Sequence, residues 1–95
     1  MEIKIIIQRT VPTEKQEQLR PLLLQLRALA TSQPGYISGE TLRNLDRPDE
    51  YLVISTWKSK ENWAAWFNNP QRKEVQKKID DLLGATTTYS RYLHG

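Results

Sequence analysis

Two strand-like segments joined by a short turn constrain the fold of this chain more than any other feature. Residues 36–45 and 51–58 are rich in side chains that favour extended backbone, and Asp46-Arg47-Pro48-Asp49 between them has the composition of a β-turn. Parallel strands need a crossover of a dozen or more residues, so segments this close must pair antiparallel. The sequence therefore predicts a β-hairpin in the middle of the chain.

The segments near the two ends of the sequence also predict strands. Within residues 2–10, Ile3, Ile5 and Ile7 form one row of an alternating pattern with a period of two. The other row consists of Lys4, Ile6 and Gln8. Residues 85–93 are rich in threonine and tyrosine, which favour extended backbone, and predict the last strand.

A first helix is predicted between the first strand and the hairpin. Thr13 and Gln16 have the spacing of a capping box that opens a helix. Apolar residues then recur at helical spacing, at Leu19, Leu22, Leu23, Leu26, Leu29 and Ala30. Pro21 conflicts with this pattern and predicts either a kink or a helix start delayed to Arg20. Pro34-Gly35 is expected to end the helix.

A second helical region follows the hairpin. Ser59 is a suitable N-cap, and large aromatic side chains follow it at helical spacing, at Trp63, Trp66 and Phe67. Pro70 predicts a break, after which residues 71–83 form a second helical piece. Gly84 fits the position just beyond that helix, where a left-handed backbone is common.

The order of these elements, β-α-β-β-α-β, predicts an α+β fold in a single domain spanning residues 1–95. Two crossovers that share a central hairpin give a ferredoxin-like, four-stranded antiparallel sheet with both helices on one face. We expect the other face to be uncovered and to carry the apolar side chains of Ile3, Ile5, Ile7, Val53 and Trp57. An exposed apolar patch of this kind predicts a homodimer formed through the sheet face.

Composition excludes several classes of function. The chain has no cysteine and a single histidine, His94, which rules out cysteine chemistry and multi-histidine metal sites. Its net charge of +3 is spread along the sequence, and the hairpin strand lacks the aromatic pattern of RNA-recognition motifs, so no nucleic-acid partner is expected. No segment is apolar enough to cross a membrane, and Met1-Glu2-Ile3-Lys4 does not resemble a signal peptide. We therefore expect a cytoplasmic protein.

The segment that best suits a ligand site is Asn62-Trp63-Ala64-Ala65-Trp66-Phe67-Asn68-Asn69. Trp63 and Phe67, four residues apart, are expected to pack onto the sheet. Trp66 lies on an adjacent helix face with Asn62 one turn before it, so an indole and an amide can line a cleft between helix and sheet. The alternative is that these aromatic side chains only fill the core and a dimer interface.

At this point the sequence resembles a known family. Pro34-Gly35-Tyr36, the strand Tyr-Leu-Val-Ile-Ser-Thr-Trp57, the run Ser59-Lys-Glu-Asn-Trp63-Ala-Ala-Trp66-Phe67 and the final strand are similar to the antibiotic biosynthesis monooxygenase (ABM) domain. The resemblance covers essentially the whole chain. It implies a dimeric α+β barrel, in which two sheets pack together and each protomer holds a pocket between its helices and its sheet.

The resemblance implies one of two activities, and one of them is oxidative degradation of haem. Members with that activity carry an Asn on the first strand, a Trp on the second helix and a His further along as the iron ligand. The matching positions here hold Gln8, Trp66 and Gln76. Glutamine does not ligate haem iron as imidazole does, so haem degradation is disfavoured.

The other activity is oxidation of quinols or polycyclic aromatics by O₂ without a cofactor, in which the anion of the substrate reduces oxygen. Many such members have Glu where this chain has Ser55, and His where it has Trp66. No catalytic residue is therefore assigned. The candidates for stabilising or protonating the substrate are Tyr89, Tyr92, Arg91 and Gln8.

These arguments predict a monooxygenase that uses O₂ and neither metal nor cofactor to oxidise a small phenolic or quinol molecule in an apolar pocket. The residues predicted to line that pocket are Gln8, Asn62, Trp66, Phe67, Tyr89 and Arg91. The alternative is a non-enzymatic module of the same fold that binds a small ligand or a partner. The sequence leaves open whether the protein is catalytic.

Overall fold

A computed structural model describes residues 1–93, so His94 lies outside the described residues. The elements along the chain are β1 (Ile3–Thr10), a 3₁₀ turn (Thr13–Lys15), α1 (Gln16–Thr31), β2 (Tyr36–Arg43), β3 (Glu50–Trp57), α2 (Lys60–Phe67), α3 (Pro70–Leu83) and β4 (Thr88–Leu93). This order confirms the predicted β-α-β-β-α-β arrangement, including the break of the second helical region at Pro70.

The four strands form one antiparallel sheet in the order β2-β3-β1-β4. The predicted hairpin is β2–β3, and β1 lies between β3 and β4. In this arrangement the two crossovers, through α1 and through α2 and α3, bring the strands into the ferredoxin-like order. The predicted α+β fold class is therefore confirmed.

The strand register identifies which face of the sheet the helices cover. Ile3 lies opposite Trp57, and Ile5 lies opposite Ser55 on one side and Arg91 on the other. Ile5 is 0% exposed and Trp57 is 1% exposed, and both belong to the core that packs against α1 and α2. The prediction that Ile3, Ile5, Ile7, Val53 and Trp57 form an uncovered face is therefore wrong, because the helices bury this more apolar row of each strand.

The opposite face of the sheet has mixed polarity. Its central strands present a half-buried apolar strip, to which Ile6, Leu52 and Ile54 belong. Polar side chains flank the strip and pair with one another across strands. Lys4 Nζ donates to Thr56 Oγ1 at 3.0 Å, and Gln8 Nε2 donates to Glu50 Oε1 at 2.9 Å. We call this surface the open face.

The start of α1 differs from the prediction. No side chain caps this helix, and Thr13 lies in the preceding 3₁₀ turn, so the capping box predicted for Thr13 and Gln16 is wrong. The helix begins at Gln16 and runs through Pro21, so the later start at Arg20 is wrong as well. An interior proline costs about 3 kcal/mol, a penalty that burial of the apolar stripe of α1, with Leu19 at 2% exposure, outweighs.

The ends of α2 and α3 follow the predicted signals. Ser59 Oγ accepts a hydrogen bond from the Asn62 backbone N–H at 3.1 Å and caps α2. Asn69 Oδ1 accepts from the backbone N–H groups at the start of α3, whose first residue is Pro70. Gly84 ends α3 with a φ of 68°, the left-handed conformation expected there. These caps set where α2 begins and where α3 begins and ends.

The core consists of two clusters under the helices. One contains Ile3, Ile5, Trp57 and Trp66, and the other contains Val11, Leu19, Val75 and Ile79. The first joins α2 to the centre of the sheet, and the second joins α1 to α3. Within residues 1–93, no helix is long and apolar enough to span a bilayer.

Candidate functional site

A cavity of about 260 Å³ lies between α1 and the covered face of β1, β2 and β3. Residues of both core clusters contribute to its walls, which are mainly apolar. They include Ile7, Leu19, Leu23, Leu26, Val53, Trp57 and Trp66. Leu24 also lines the cavity and is 62% exposed, so the cavity opens to solvent beside α1.

Aromatic rings form one wall of this cavity. Trp57 and Trp66 are stacked, with ring centroids 6.2 Å apart and planes inclined by 22°. Tyr36 meets Trp57 edge-on at 5.4 Å. Trp57 Nε1 donates to Ser55 Oγ at 3.2 Å, so the hydrogen-bonding requirement of this indole is met within β3. A wall of this kind offers a flat apolar surface to a planar ligand.

Arg9 is the most unusual residue of the cavity wall. It occupies the covered face of β1 and is only 6% exposed. Its Nη2 donates to Gln76 Oε1 over a long 3.4 Å, and its Nε has no hydrogen-bond partner. Burial lowers the pKa of Arg9, and the nearby positive charge of Arg72 acts in the same direction, while Tyr89 and Asp80 oppose the shift. A guanidinium in an apolar wall is thus left with an unused donor.

Gln16 is a second residue of the cavity wall with an unpartnered donor. Its side chain, at the first position of α1, lines the cavity, and its Nε2 is buried without a hydrogen-bond partner. Within residues 1–93, Arg9 Nε and Gln16 Nε2 are the buried side-chain polar atoms that lack a partner. Both atoms are donors, and each is left without an acceptor.

Of the residues predicted to line the pocket, Trp66 does line the cavity. Gln8 lies on the open face of the sheet, where it bonds to Glu50. Asn62 serves the start of α2, because Ser59 Oγ donates to its Oδ1 at 2.7 Å and accepts from its backbone N–H. The Asn62 side chain also packs closely over Gly35, whose φ of 83° suits glycine.

Phe67, Tyr89 and Arg91 belong to a separate cluster near β4. Phe67 packs against Trp63 at 4.9 Å and meets Tyr89 edge-on at 5.3 Å. The Arg91 guanidinium lies 5.9 Å from the centre of the Trp63 ring. Trp63 and Phe67 therefore pack over β4 of the sheet, and none of these residues is among those lining the cavity. The predicted pocket therefore combined residues of two separate places, the cavity beside Trp66 and the aromatic cluster near β4.

Arg72 holds this aromatic cluster together. Its guanidinium lies 4.4 Å from the centre of the Phe67 ring, donates to the Phe67 carbonyl at 2.9 Å and donates to the Tyr89 hydroxyl. Burial raises the pKa of Tyr89, although the charges of Arg72 and Arg9 and the hydrogen bond from Arg72 oppose the shift. Tyr92 lies apart from this cluster, on the open face, where it is 56% exposed.

Gln76, at the position that matches the iron ligand of haem-degrading relatives, is occupied by contacts within the protein. Its Nε2 donates to Asp80 Oδ1 at 2.9 Å and to Thr87 Oγ1 at 2.8 Å, and its Oε1 accepts from Arg9. Gln76 is not among the residues that line the cavity. Residues 1–93 contain no cluster of three or more His, Cys, Asp or Glu side chains suited to a metal ion.

Sequence reasoning missed Arg9 and Gln16. Arg9 continues the row of Ile3, Ile5 and Ile7, and a cation in the apolar row of a strand was the signal that could have identified it. Gln16 was predicted to belong to a capping box, whereas the structure places it at the first position of α1, where it lines the cavity. The sequence predicted that an arginine and an amide, Arg91 and Gln8, stabilise a substrate anion. The arginine and glutamine residues that line the cavity include Arg9 and Gln16 instead.

The geometry agrees with comparisons to known proteins. A family model described as antibiotic biosynthesis monooxygenase matches residues 2–78. This chain belongs to the ABM family. The curated relative SchA of Streptomyces halstedii is 28% identical over 53 residues, which are 56% of this chain and 14% of SchA. The chain thus spans only a small part of that relative.

Solved structures share the fold of this chain. A conserved protein from Methanosarcina mazei Go1 superposes with a TM-score of 0.91 at 18% identity, covering 100% of this chain and 94% of that chain. SnoaB, described as a cofactor-independent oxygenase from Streptomyces nogalater, superposes with a TM-score of 0.81 at 18% identity, covering 99% of this chain and 93% of that chain. At these identities the likeness establishes the fold.

Proposed function

We propose that this protein is a cofactor-independent monooxygenase that oxidises a phenolic or quinol aromatic with O₂ in the cavity beside Trp66. The observation that carries the proposal is the stacked indole wall of an apolar cavity that is also lined by the buried Arg9. The wall suits the ring of the substrate, and the positive charge of Arg9 suits a negative oxygen.

The chemistry needs no external reductant. In a phenol with a free ring position, a ring C–H bond and the O–H bond break, and one atom of O₂ becomes a new ring carbonyl. The other oxygen atom leaves as water with both hydrogens, and every electron that reduces O₂ comes from the ring. The reactive form is the phenolate, so a buried guanidinium that stabilises a negative oxygen favours the reaction.

Neither metal nor organic cofactor has a part in this proposal, and O₂ is the co-substrate. SnoaB, which shares the fold, is described as cofactor-independent, which supports the same assignment here. Haem degradation is not proposed, because Gln76, at the position of the iron ligand, is bonded within the protein to Arg9, Asp80 and Thr87.

We also propose a homodimer. Because the helices cover the face first predicted to form it, the proposed interface is the open face. The apolar strip of Ile6, Leu52 and Ile54 is half-buried in one chain, and Leu42 and Tyr92 beside it are 42% and 56% exposed. A second copy of the chain that packs its own open face on this strip would remove the apolar surface from water. The cytoplasmic location likewise remains a prediction from the sequence.

A binding module of the same fold is the second candidate function. The observation in its favour is the lack of a base in the cavity wall. Glu40 is the one residue with an acidic side chain among those lining the cavity, and it is exposed at a register position opposite Ile54, on the open face. A protein that binds an aromatic anion without transforming it needs no base.

Oxygen uptake distinguishes the two candidates. We expect hydroquinones and phenols from a small panel to drive O₂ consumption above the uncatalysed rate, and Trp66→Phe to reduce kcat/KM by at least about 10-fold. Trp63→Phe, a matched change outside the cavity, should leave the rate within about 2-fold. Saturable binding of the same compounds without any consumption of O₂ would instead establish the binding module.

A further inference from the structure

We propose that the Tyr36 hydroxyl hydrogen-bonds an oxygen substituent of the aromatic ligand in the cavity, and that Gly39 provides the space which this hydroxyl occupies. The inference rests on the proposed function for the aromatic nature of the ligand. It adds the residue that recognises the oxygen of the ligand and separates phenols from plain hydrocarbons.

An irregularity in β2 brings Tyr36 and Gly39 to the same face of the sheet. Before it Tyr36 lies opposite Trp57, and after it Gly39 lies opposite Ser55, with one extra residue in β2 between Tyr36 and Ser38. In a regular strand, residues three positions apart point to opposite faces. The bulge resets this alternation, so Tyr36 and Gly39 both lie on the covered face and both line the cavity. Bulges that redirect a side chain are over-represented next to active sites.

Gly39 leaves room for the Tyr36 hydroxyl. A Cβ atom at position 39 would lie 2.7 Å from the hydroxyl oxygen, which is closer than Cβ atoms approach their neighbours in proteins. The hydroxyl therefore occupies the space directly above the glycine, on the cavity side of β2. The Gly39 carbonyl accepts a hydrogen bond from Arg27 Nη2 at 3.0 Å, which holds this part of β2 against α1.

The Tyr36 hydroxyl is accessible and has no partner within the described part of the chain. The guanidinium of Arg27 bonds to the Gly39 carbonyl, and no side-chain hydrogen bond within residues 1–93 includes the Tyr36 hydroxyl. The buried side-chain polar atoms without a partner in that range are Arg9 Nε and Gln16 Nε2. The unpartnered hydroxyl of Tyr36 is not one of them, so it has accessible surface on a residue that lines the cavity.

Tyr36 also contacts the aromatic wall of the cavity. Its ring meets Trp57 edge-on at 5.4 Å and packs against the core cluster that contains Trp57 and Trp66. Tyr51, the other tyrosine that lines the cavity, packs against the second core cluster. Tyr36 is therefore the tyrosine whose ring contacts the surface proposed for the ring of the ligand.

The chemistry of a phenolic hydroxyl defines what this position selects. A tyrosine O–H donates one hydrogen bond and its oxygen accepts another, so it matches a phenol, a quinol or a ring carbonyl. A site that hydrogen-bonds a ligand oxygen discriminates against the analogue without that oxygen, because the protein group then loses its partner. Tyr36 is thus a binding residue that selects oxygenated aromatics.

Affinities for 2-naphthol and naphthalene, which share a ring system and differ in one hydroxyl, test the inference. Calorimetry without O₂ gives both dissociation constants for the unreacted ligands. We define the selectivity as the dissociation constant of naphthalene divided by that of 2-naphthol. We expect Tyr36→Phe to lower the selectivity by about 5-fold to 10-fold, as the loss of one hydrogen bond does, and to leave the affinity for naphthalene within about 2-fold.

Gly39→Ala tests the role of the space above the glycine. It keeps the Tyr36 hydroxyl but places a methyl group against it, so we expect the selectivity to fall by at least about 3-fold. When Gly39→Ala is combined with Tyr36→Phe, it should cause no further loss, because the oxygen that its methyl group meets is gone. Ser38→Ala and Tyr92→Phe, both on the open face, are the matched controls and should keep the wild-type selectivity within about 2-fold.

The outcomes separate this inference from the proposed function. Selectivity that Tyr36→Phe leaves unchanged, or lowers no more than the controls do, would overturn the inference, and oxygen uptake by the wild type would then leave the proposed function standing. A further loss in the double variant would overturn the role of Gly39. Loss of selectivity in Tyr36→Phe and in Gly39→Ala, without oxygen uptake by the wild type, would support the inference and overturn the oxygenase. Absence of 2-naphthol binding to the wild type would overturn both.

Discussion

The indole rings of Trp57 and Trp66 lie nearly parallel, with centroids 6.2 Å apart, although one ends β3 and the other lies near the end of α2. Trp57 is 1% exposed and Trp66 is 7% exposed, so the pair joins helix to sheet inside the core. One side of the same pair faces the cavity. A single contact therefore supports the fold and shapes the proposed site.

Replacing Trp66 should test the structural half of this role. Removing a buried indole leaves a void that the surroundings fill only in part, so we expect Trp66→Ala to lower the free energy of unfolding by about 3–5 kcal/mol. Urea denaturation followed by circular dichroism measures this change. Trp63→Ala is the matched control, and because Trp63 is only half-buried we expect a smaller loss. Equal losses in the two variants would contradict the assignment of Trp66 to the core.

Replacing Arg9, unlike replacing Trp66, should not lower the free energy of unfolding. Its burial is unfavourable for a cation, its Nε is unsatisfied and its contact with Gln76 is long. We therefore expect Arg9→Met to leave the free energy of unfolding within about 1 kcal/mol or to raise it, as is common at functional sites. Thermal unfolding without ligand measures the change. A loss of more than about 2 kcal/mol would mean that Arg9 is a structural residue.

The titration of Tyr89 gives the protein a specific response to alkali. Burial raises the pKa of Tyr89 above 10.0, so between that value and the folded pKa the unfolded chain has released a proton that the folded chain retains. Since the folded state then binds more protons, the free energy of unfolding falls as pH rises through this window. Below about pH 10 the contribution of Tyr89 is fully present.

Tyrosinate absorbance measures this titration directly. In the wild type we expect a late component from Tyr89, and Tyr89→Phe should remove that last component. Tyr92→Phe replaces an exposed ring on the open face and should leave the last component in place. Loss of the late component in Tyr92→Phe instead would show that the buried phenol has been assigned to the wrong residue.

The open face gives a prediction about assembly. Ile54 lies in the apolar strip opposite Ile6, and a lysine there would bring a charge into the proposed dimer interface. We expect light scattering to give the mass of two chains for the wild type at micromolar concentration and the mass of one chain for Ile54→Lys. Leu45→Lys, at a position that is 96% exposed, is the control and should remain dimeric. A mass of one chain for the wild type would contradict the proposed homodimer.

Much of the fold follows from local signals in the sequence. The period of two in β1, the cap at Ser59 and Gly84 after α3 each act within a few residues, and the structure confirms them. The face covered by the helices depends on tertiary packing. Alternation defines two rows in a strand without showing which row is buried, and here the row of Ile3 and Ile5 lies inside.

The site was less accessible to sequence reasoning for the same reason. Trp66 was identified because its size and spacing are visible in the sequence. Phe67 and Tyr89 were predicted to line the same pocket, but Phe67 packs against Tyr89 of β4 and against the guanidinium of Arg72. Arg9 and Gln16 line the same cavity only because α1 folds back over β1, and that tertiary packing leaves no local signal in the sequence.

The most direct test of the account is an NMR titration of the indole N–H groups with a naphthol or a naphthoate. The chain contains three tryptophans, of which Trp57 and Trp66 line the cavity and Trp63 does not. We predict that the Trp57 and Trp66 resonances shift along one saturable binding curve, while the Trp63 resonance keeps its position. A shift of Trp63 with Trp57 and Trp66 unmoved would place the ligand at β4 and contradict the account.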